Sequence, residues 1–399
     1  MADTLLRGST VDAASQRFAG SAQSGALASI GYVVAENVVF IPTGSFETGY
    51  VSNPDALFIR TSASPFGTTE VSGTVGFLNS AGATTFAVKS RLTVFGSDVE
   101  RPERWDAGAA VDNAYRIAPG LTATFGAYAL KDWVNLVPDD AAGGYAQLAY
   151  QDSFIEFASR LKADQINYLG KAYFTEGAIP ELLPFLKPSA FDVRRTESVT
   201  SVLVAPKAVA GLYGEVGAAL VDYLSQPDVR VVNRDATEGW IKGGVRVNIG
   251  QTLRVEAGWR FNDRETEDRR VSSYSSSFFD GKVIWAALPT TTVVFDIDRK
   301  LVEPGTAFAI VGDQTVYLLS VTHKASEDWT VQGFGRYRIL DQIGDVQRYT
   351  EGAAGVGVAY QWLPKTALTG SLSYARGEET SSGQTYDVVR VSAGSKIQF

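Results

Sequence analysis

From Val39 onward, apolar and polar residues alternate with a period of two. Leu253, Val255, Ala257, Trp259 and Phe261 fall on one parity, and Arg254, Glu256, Gly258, Arg260 and Asn262 on the other. Successive side chains of a strand point to opposite faces, so this pattern predicts a strand with one apolar and one polar face. Immediately upstream, Ile241, Val245, Val247 and Ile249 oppose Lys242, Arg246 and Asn248, and Gly250-Gln251 supplies a tight hairpin between the two segments. The final segment repeats the pattern, with Val389, Val391, Ala393, Ile397 and Phe399 against Arg390, Ser392, Gly394, Lys396 and Gln398.

Short turns join further pairs at Asn79–Gly82, Ala118–Gly120, Asp152-Ser153, Pro206–Ala210, Leu288–Thr290, Ala325–Asp328 and Leu363–Lys365. Longer polar connections separate them at Ser97–Glu103, Asn135–Gly144, Ser225–Thr237, Asn262–Arg270, Lys300–Thr306, Leu340–Asp345 and Gly377–Thr385. Short turns alternating with long loops is the arrangement of outer-membrane barrels, short at the periplasmic end and long outside. The pattern predicts strands near 39–51, 56–78, 83–96, 103–117, 121–134, 143–152, 154–171, 197–206 and 211–223. It continues near 236–249, 251–263, 271–286, 290–300, 309–324, 327–340, 346–362, 364–377 and 385–399. The expected fold is all-β, a single transmembrane antiparallel up-and-down β-barrel of about 18 strands, with 16 as the alternative. An even count returns the N-terminus to the periplasm.

Size decides between a membrane and a soluble barrel. About eight strands fill their interior with side chains, whereas 16–18 leave an aqueous channel. The polar parity then faces water and the apolar parity lipid. Trp105, Tyr115, Trp259, Trp285, Trp329, Tyr337, Tyr360 and Trp362 lie on the proposed lipid face, mostly near strand ends, as interfacial belts require. No run approaches the ~20 apolar residues of a membrane helix. Mean hydropathy of −0.02 suits two opposed faces of which neither dominates. The net charge of −8 argues against a nucleic-acid partner, which needs a basic patch. There is no cysteine, hence no disulfide framework and no thiolate metal site. No signal peptide is recognisable, and the stretch after Met1 reads as a mature sequence. Residues 1–36 are small, polar and without clean alternation; they are expected to form a periplasmic extension that tucks into the barrel mouth, or a disordered tail. Residues 37–399 are expected to form the barrel.

Catalytic chemistry finds little footing. His323 is the single histidine and sits on the apolar parity beside a turn, a girdle position. No nucleophile elbow or phosphate-binding loop is present, and Gly355-Val356-Gly357 opens no helix. No cofactor or metal is expected. Asp296 and Asp298 share a strand face and are expected to line water rather than act as an acid–base pair.

The inward parity carries Lys89, Arg91, Arg116, Arg160, Lys162, Lys242, Arg246, Arg254, Arg260, Lys282, Arg336, Arg338, Arg390 and Lys396. Acids on it include Asp106, Asp112, Glu156, Asp164, Glu256, Asp280, Asp296, Asp298 and Glu351. Either these cations line a solute path that attracts anions, or they pair with the acids and stiffen a wide wall. The longest irregular segment, Phe174–Glu197, contains three prolines and the apolar Leu182, Leu183, Phe185 and Leu186. It is expected to fold inward as a gate or constriction; capping of the outer mouth is the alternative.

A chain ending on an aromatic within an alternating strand resembles the closing strand of bacterial outer-membrane barrels. In those proteins the terminal residue, here Phe399, belongs to the signal read by the assembly machinery. The stretches FIPTGSFETGYVSNPDALF, DGKVIWAALPTTTVVFDIDRK, WLPKTALTGSLSYARGEET and YDVVRVSAGSKIQF resemble the second putative β-barrel porin family. That resemblance implies an outer-membrane conduit associated with exopolysaccharide export and with periplasmic export partners. The expected function is therefore a passage for a secreted, anionic polysaccharide. The alternatives are a general diffusion porin for small solutes and a filled structural or adhesive barrel.

Overall fold

The computed structural model describes residues 32–53, 63–96, 103–134, 137–168, 192–224, 233–268, 270, 273–303, 309–345, 347–380 and 382–398. The strands in chain order are β1 (Tyr32–Ala35), β2 (Val38–Val51), β3 (Ser64–Asn79), β4 (Gly82–Phe95), β5 (Glu103–Ala118), β6 (Leu121–Val134) and β7 (Val137–Gln151). They continue as β8 (Ile155–Tyr168), β9 (Val193–Val204), β10 (Ala210–Tyr223), β11 (Ala236–Ile249), β12 (Leu253–Thr266) and β13 (Tyr274–Leu288). The last are β14 (Thr291–Val302), β15 (Val311–Lys324), β16 (Trp329–Ile343), β17 (Arg348–Leu363), β18 (Thr366–Glu379) and β19 (Gln384–Gln398).

Each strand from β2 to β19 pairs antiparallel with the next, and β19 pairs back onto β2 from Arg390↔Val51 to Gln398↔Thr43. The result is a closed 18-stranded barrel. Closure gives every strand of the barrel two paired neighbours, the condition for a sheet to cross a bilayer. The short β1 pairs with the start of β2, Tyr32 opposite Phe40, just past the point where β19 ends. Lys365 lies 3.9 Å over the Tyr32 ring there.

A 14-residue strand such as β10 extends ~46 Å at ~3.3 Å per residue, and a tilt of ~40° still covers the ~25 Å apolar band of an outer-membrane barrel. The apolar parity faces outward: Val216, Ile241, Trp259, Trp285 and Val391 are all exposed. Trp285, Trp329, Tyr360 and Trp362 gather at the short-turn end, where Trp329 and Tyr360 stack at 4.7 Å. Trp259 and Tyr337 lie mid-strand instead. Gly120 and Gly250 make turns at φ of 75° and 61°, backbone that side chains disfavour. At the β7–β8 turn the Asp152 carboxylate accepts from the N–H groups of Phe154 (2.6 Å) and Ile155 (2.7 Å) and from the Tyr150 hydroxyl (2.9 Å). These bonds hold its carboxyl below the ordinary value.

One expected long loop is a strand. Residues 135–144 were expected to be loop, yet β6 pairs with β7 up to Val134↔Val137. The small, glycine-containing run at Ala141–Gly144 carries no large side chain, so the alternation is faint although the backbone pairs normally.

Candidate functional site: the lumen and its constriction

The inner wall is built from cross-strand pairs. The register places Gly377 opposite Tyr386, Gly126 opposite Tyr145, Gly143 opposite Tyr128, Gly217 opposite Trp240 and Gly244 opposite Tyr213. In each case the inward ring occupies the space where the glycine lacks a Cβ; a Cβ on Gly377 would stand 2.0 Å from the Tyr386 ring. Rings therefore lie along the wall instead of across the lumen, and their hydroxyls reach carboxylates. Tyr145 donates to Asp112 at 2.6 Å, Tyr386 to Glu351 at 2.5 Å, and Tyr128 to Asp164.

All fourteen cations assigned to the inward parity lie on that face, opposite the exposed apolar positions. Most are neutralised by acids on the same strand or a nearby one. Lys89 pairs with Glu70 (2.8 Å), Arg91 with Asp106 (2.5 Å), Lys162 with Asp164 (2.6 Å) and Lys242 with Asp280 (2.6 Å). Arg246 and Arg254 share Glu256 at 2.8 and 2.7 Å, Lys282 pairs with Asp296 (3.3 Å), and Arg390 with Glu47 (3.0 Å). Arg336 and Arg338 both hold Glu351. Arg260 bonds Asn262 at 3.0 Å and lies over the Trp240 ring, and Arg160 lies over the Tyr145 ring. Arg116 and Lys396 have no ion pair among the described residues. The inner surface is a mosaic of paired charges, not a continuous basic track.

At the long-loop end two strands turn inward. β13 pairs with β14 only up to Gly281↔Ile297, although β13 continues to Tyr274 at the long-loop end. Above that point β14 is unpaired with β13 and turns in behind it, carrying β15, which stays paired with β16 up to Val311↔Ile343. Arg299 and Asp313 share the parity of the outward Phe295 and Tyr317, yet they meet the inner face of β13. Arg299 lies 5.0 Å over the Phe278 ring, and Tyr274 donates to Asp313 at 2.6 Å. Arg299 holds Asp313 through two bonds of 2.8 and 2.7 Å. From Ala309 to Gln314 every residue is buried, on both parities. A strand in the wall exposes one parity to lipid; a strand covered on both faces lies inside. Val302 packs there against Leu340 and Tyr349.

Glu303, just past β14, anchors the inturned ends to the inner face of the neighbouring wall, β9–β12. It accepts from Tyr223 of β10 at 2.5 Å and pairs with Arg195 of β9 (3.3 Å) and Arg264 of β12 (3.7 Å). Both arginines also hold Glu238 of β11, at 2.7 and 2.5 Å. Arg264 is fully buried, and such a guanidinium needs these partners to offset its desolvation. Below the anchor, the inner faces of β10–β13 and β14–β15 enclose a cavity of about 550 Å³.

Sequence reasoning missed Arg195, Glu238, Arg264, Arg299, Glu303 and Asp313. The available signal was Arg299, Asp313 and Asp341: three charges on the lipid parity of adjacent strands, a costly placement in a bilayer. The expected gate residues Leu182, Leu183, Phe185 and Leu186, the terminal Phe399 and residues 1–31 lie outside the described residues. His323 is on the outward parity near the short-turn end, with Nδ1 2.8 Å from the Thr291 hydroxyl.

Comparison with known proteins agrees with this architecture. Residues 201–399 match the family model described as Putative beta-barrel porin 2. That is the family the sequence resembles. Three of the four stretches that carry the resemblance fall within the match; FIPTGSFETGYVSNPDALF precedes it. No curated protein matches the chain. Among solved structures, OpdK of Pseudomonas aeruginosa, in a crystal structure with vanillate, is 10% identical with a TM-score of 0.53. OccAB3 of Acinetobacter baumannii is 8% identical with a TM-score of 0.50. Both alignments cover 90% of this chain and 99% of the other. At these identities the likeness concerns the fold alone. The closed barrel, its outward apolar band and the porin-family match place the protein in the bacterial outer membrane as a porin-like channel.

Proposed function

We propose that the barrel is a diffusion channel for small solutes, with its narrowest part at the inturned ends of β14 and β15. The observation that carries this reading is the burial of residues 309–314 on both faces, with Glu303 fixed to β9, β10 and β12. Backbone, and not only side chains, then occupies the cross-section. Beside it lies a recess of about 550 Å³, within the range of small-molecule sites.

The same features weigh against polysaccharide export. A polymer needs an unbroken passage and a continuous track of unpaired cations. Here a multiply anchored hairpin projects into the lumen against β9–β13, and most inward cations are paired with acids. Nothing in the comparisons supports an export role.

The test is conductance of the refolded protein in planar bilayers, with polyethylene glycols of graded size added as pore fillers. Stable unitary steps reduced only by the smallest polymers are expected. Silence under all conditions would mean a filled barrel, and steps unaffected in size selectivity up to large polymers would mean that no constriction exists.

A further inference from the structure

We propose that the cavity beneath the β14–β15 constriction is a subsite for a small organic cation: an ammonium group attached to an apolar body. Four of the cavity's charges cancel, since Lys242 holds Asp280 at 2.6 Å and Lys282 holds Asp296 at 3.3 Å. Glu256 is held by Arg246 and Arg254. Asp298, on the inward parity of β14, is left as a carboxylate with no hydrogen bond or ion pair among the described residues. Facing the same cavity from β15 is Gln314, 2% exposed, whose buried Oε1 has no hydrogen-bond partner among the described residues. A buried amide oxygen without a donor costs about 1–3 kcal/mol unless something supplies one.

Both groups therefore call for a ligand that donates. An ammonium gives N–H donors to the Gln314 oxygen and charge to Asp298, and charge-assisted bonds are the stronger kind. Val316 and Leu318 share the β15 face with Gln314 and line the cavity below it. They offer the rest of the solute an apolar wall. A carboxylate solute meets the unpaired Asp298 and an acceptor oxygen, while of the three lysines that line the cavity Lys242 and Lys282 are paired with acids and Lys300 is not without a partner.

The inference rests on the channel reading only for how the solute arrives, so binding is measured without conduction. The probes are 2-phenylethylammonium, ethylammonium and phenylacetate, titrated calorimetrically into the refolded protein in detergent. 2-Phenylethylammonium should bind, and Asp298→Asn should weaken it about tenfold, the loss of one charge-assisted contact. Leu318→Asn should weaken 2-phenylethylammonium and leave the weaker binding of ethylammonium unchanged. Phenylacetate should not bind. Absence of binding by the phenyl amine, equal binding of phenylacetate, or an unchanged affinity in Asp298→Asn would each overturn the subsite. If the protein binds the amine yet never conducts, the subsite stands and the channel reading falls.

Discussion

Replacing Gly377 by Ala tests whether the inner wall is held by rings lying over glycines. The new Cβ would stand 2.0 Å from Cε1 of Tyr386, where ordinary contacts begin at 3.4 Å. The ring must therefore move by about 1.4 Å, and its neighbours oppose that, because Tyr386 is buried. Its hydroxyl donates 2.5 Å to Glu351, the carboxylate that also holds Arg336 and Arg338. A shift of this size takes the hydroxyl out of hydrogen-bond range. Overpacking costs about 1–3 kcal/mol, and losing a hydrogen bond to a charged group costs about 1.5–3 kcal/mol. Together the substitution should destabilise the barrel by about 3–5 kcal/mol. Gly335→Ala is the control, since a Cβ there meets nothing within 4 Å. It should be neutral or stabilise by about 0.4–1 kcal/mol through the unfolded chain. The assay is urea unfolding of vesicle-refolded protein followed by tryptophan fluorescence. The double variant Gly377→Ala/Tyr386→Ala should cost less than the sum of the two single changes, because the clash is gone. If Gly377→Ala unfolds within about 0.5 kcal/mol of the parent, a bracket set by ordinary surface changes, the ring-over-glycine account is wrong.

Other expectations follow from the same geometry. Val216 is mid-strand and faces lipid, so Val216→Arg should cost about 2–4 kcal/mol in vesicle folding. Ser201→Arg, on the inward face opposite Glu215, should be tolerated, and equal penalties would contradict the assigned faces. Asp152 has a depressed carboxyl, so its turn bonds stabilise the fold above the unfolded carboxylate range of about 3.9 and fade as pH falls through the lower folded value. Asp152→Ala should accordingly be less stable than the parent at neutral pH, with the gap closing in strong acid; a gap that stays constant would refute this. Asp313→Asn removes the negative charge and one of the two acceptor oxygens that serve Arg299 and Tyr274, and should raise current noise by loosening the inturned strands, without altering the amount of folded barrel.

The wall was legible in the sequence because a bilayer rewards strict alternation. All eighteen expected strands have a counterpart; 56–78 is β3 (Ser64–Asn79), and 197–206 is β9 (Val193–Val204). Charge pairing needed one step more, the register. Lys282 stands directly opposite Asp296 once the Leu288–Thr290 turn fixes the hairpin, so a wall of paired charges could have been read from that turn. The constriction was harder to see because β14 and β15 keep their alternation while turning inward. Period two reports that a strand has two different faces; it does not say whether the second face meets lipid or another strand. Only the chemical oddity of Arg299 and Asp313 among Phe295, Tyr317 and Leu319 marked the departure.

Single-channel conductance of Glu303→Ala beside the parent protein tests the central claim most directly. The carboxylate of Glu303 ties the inturned ends to Tyr223, Arg195 and Arg264, while Glu238 still pairs with both arginines after its removal. The variant should therefore fold normally and show larger or more variable unitary steps than the parent. Identical steps in the two proteins would mean that β14 and β15 do not set the width of the passage.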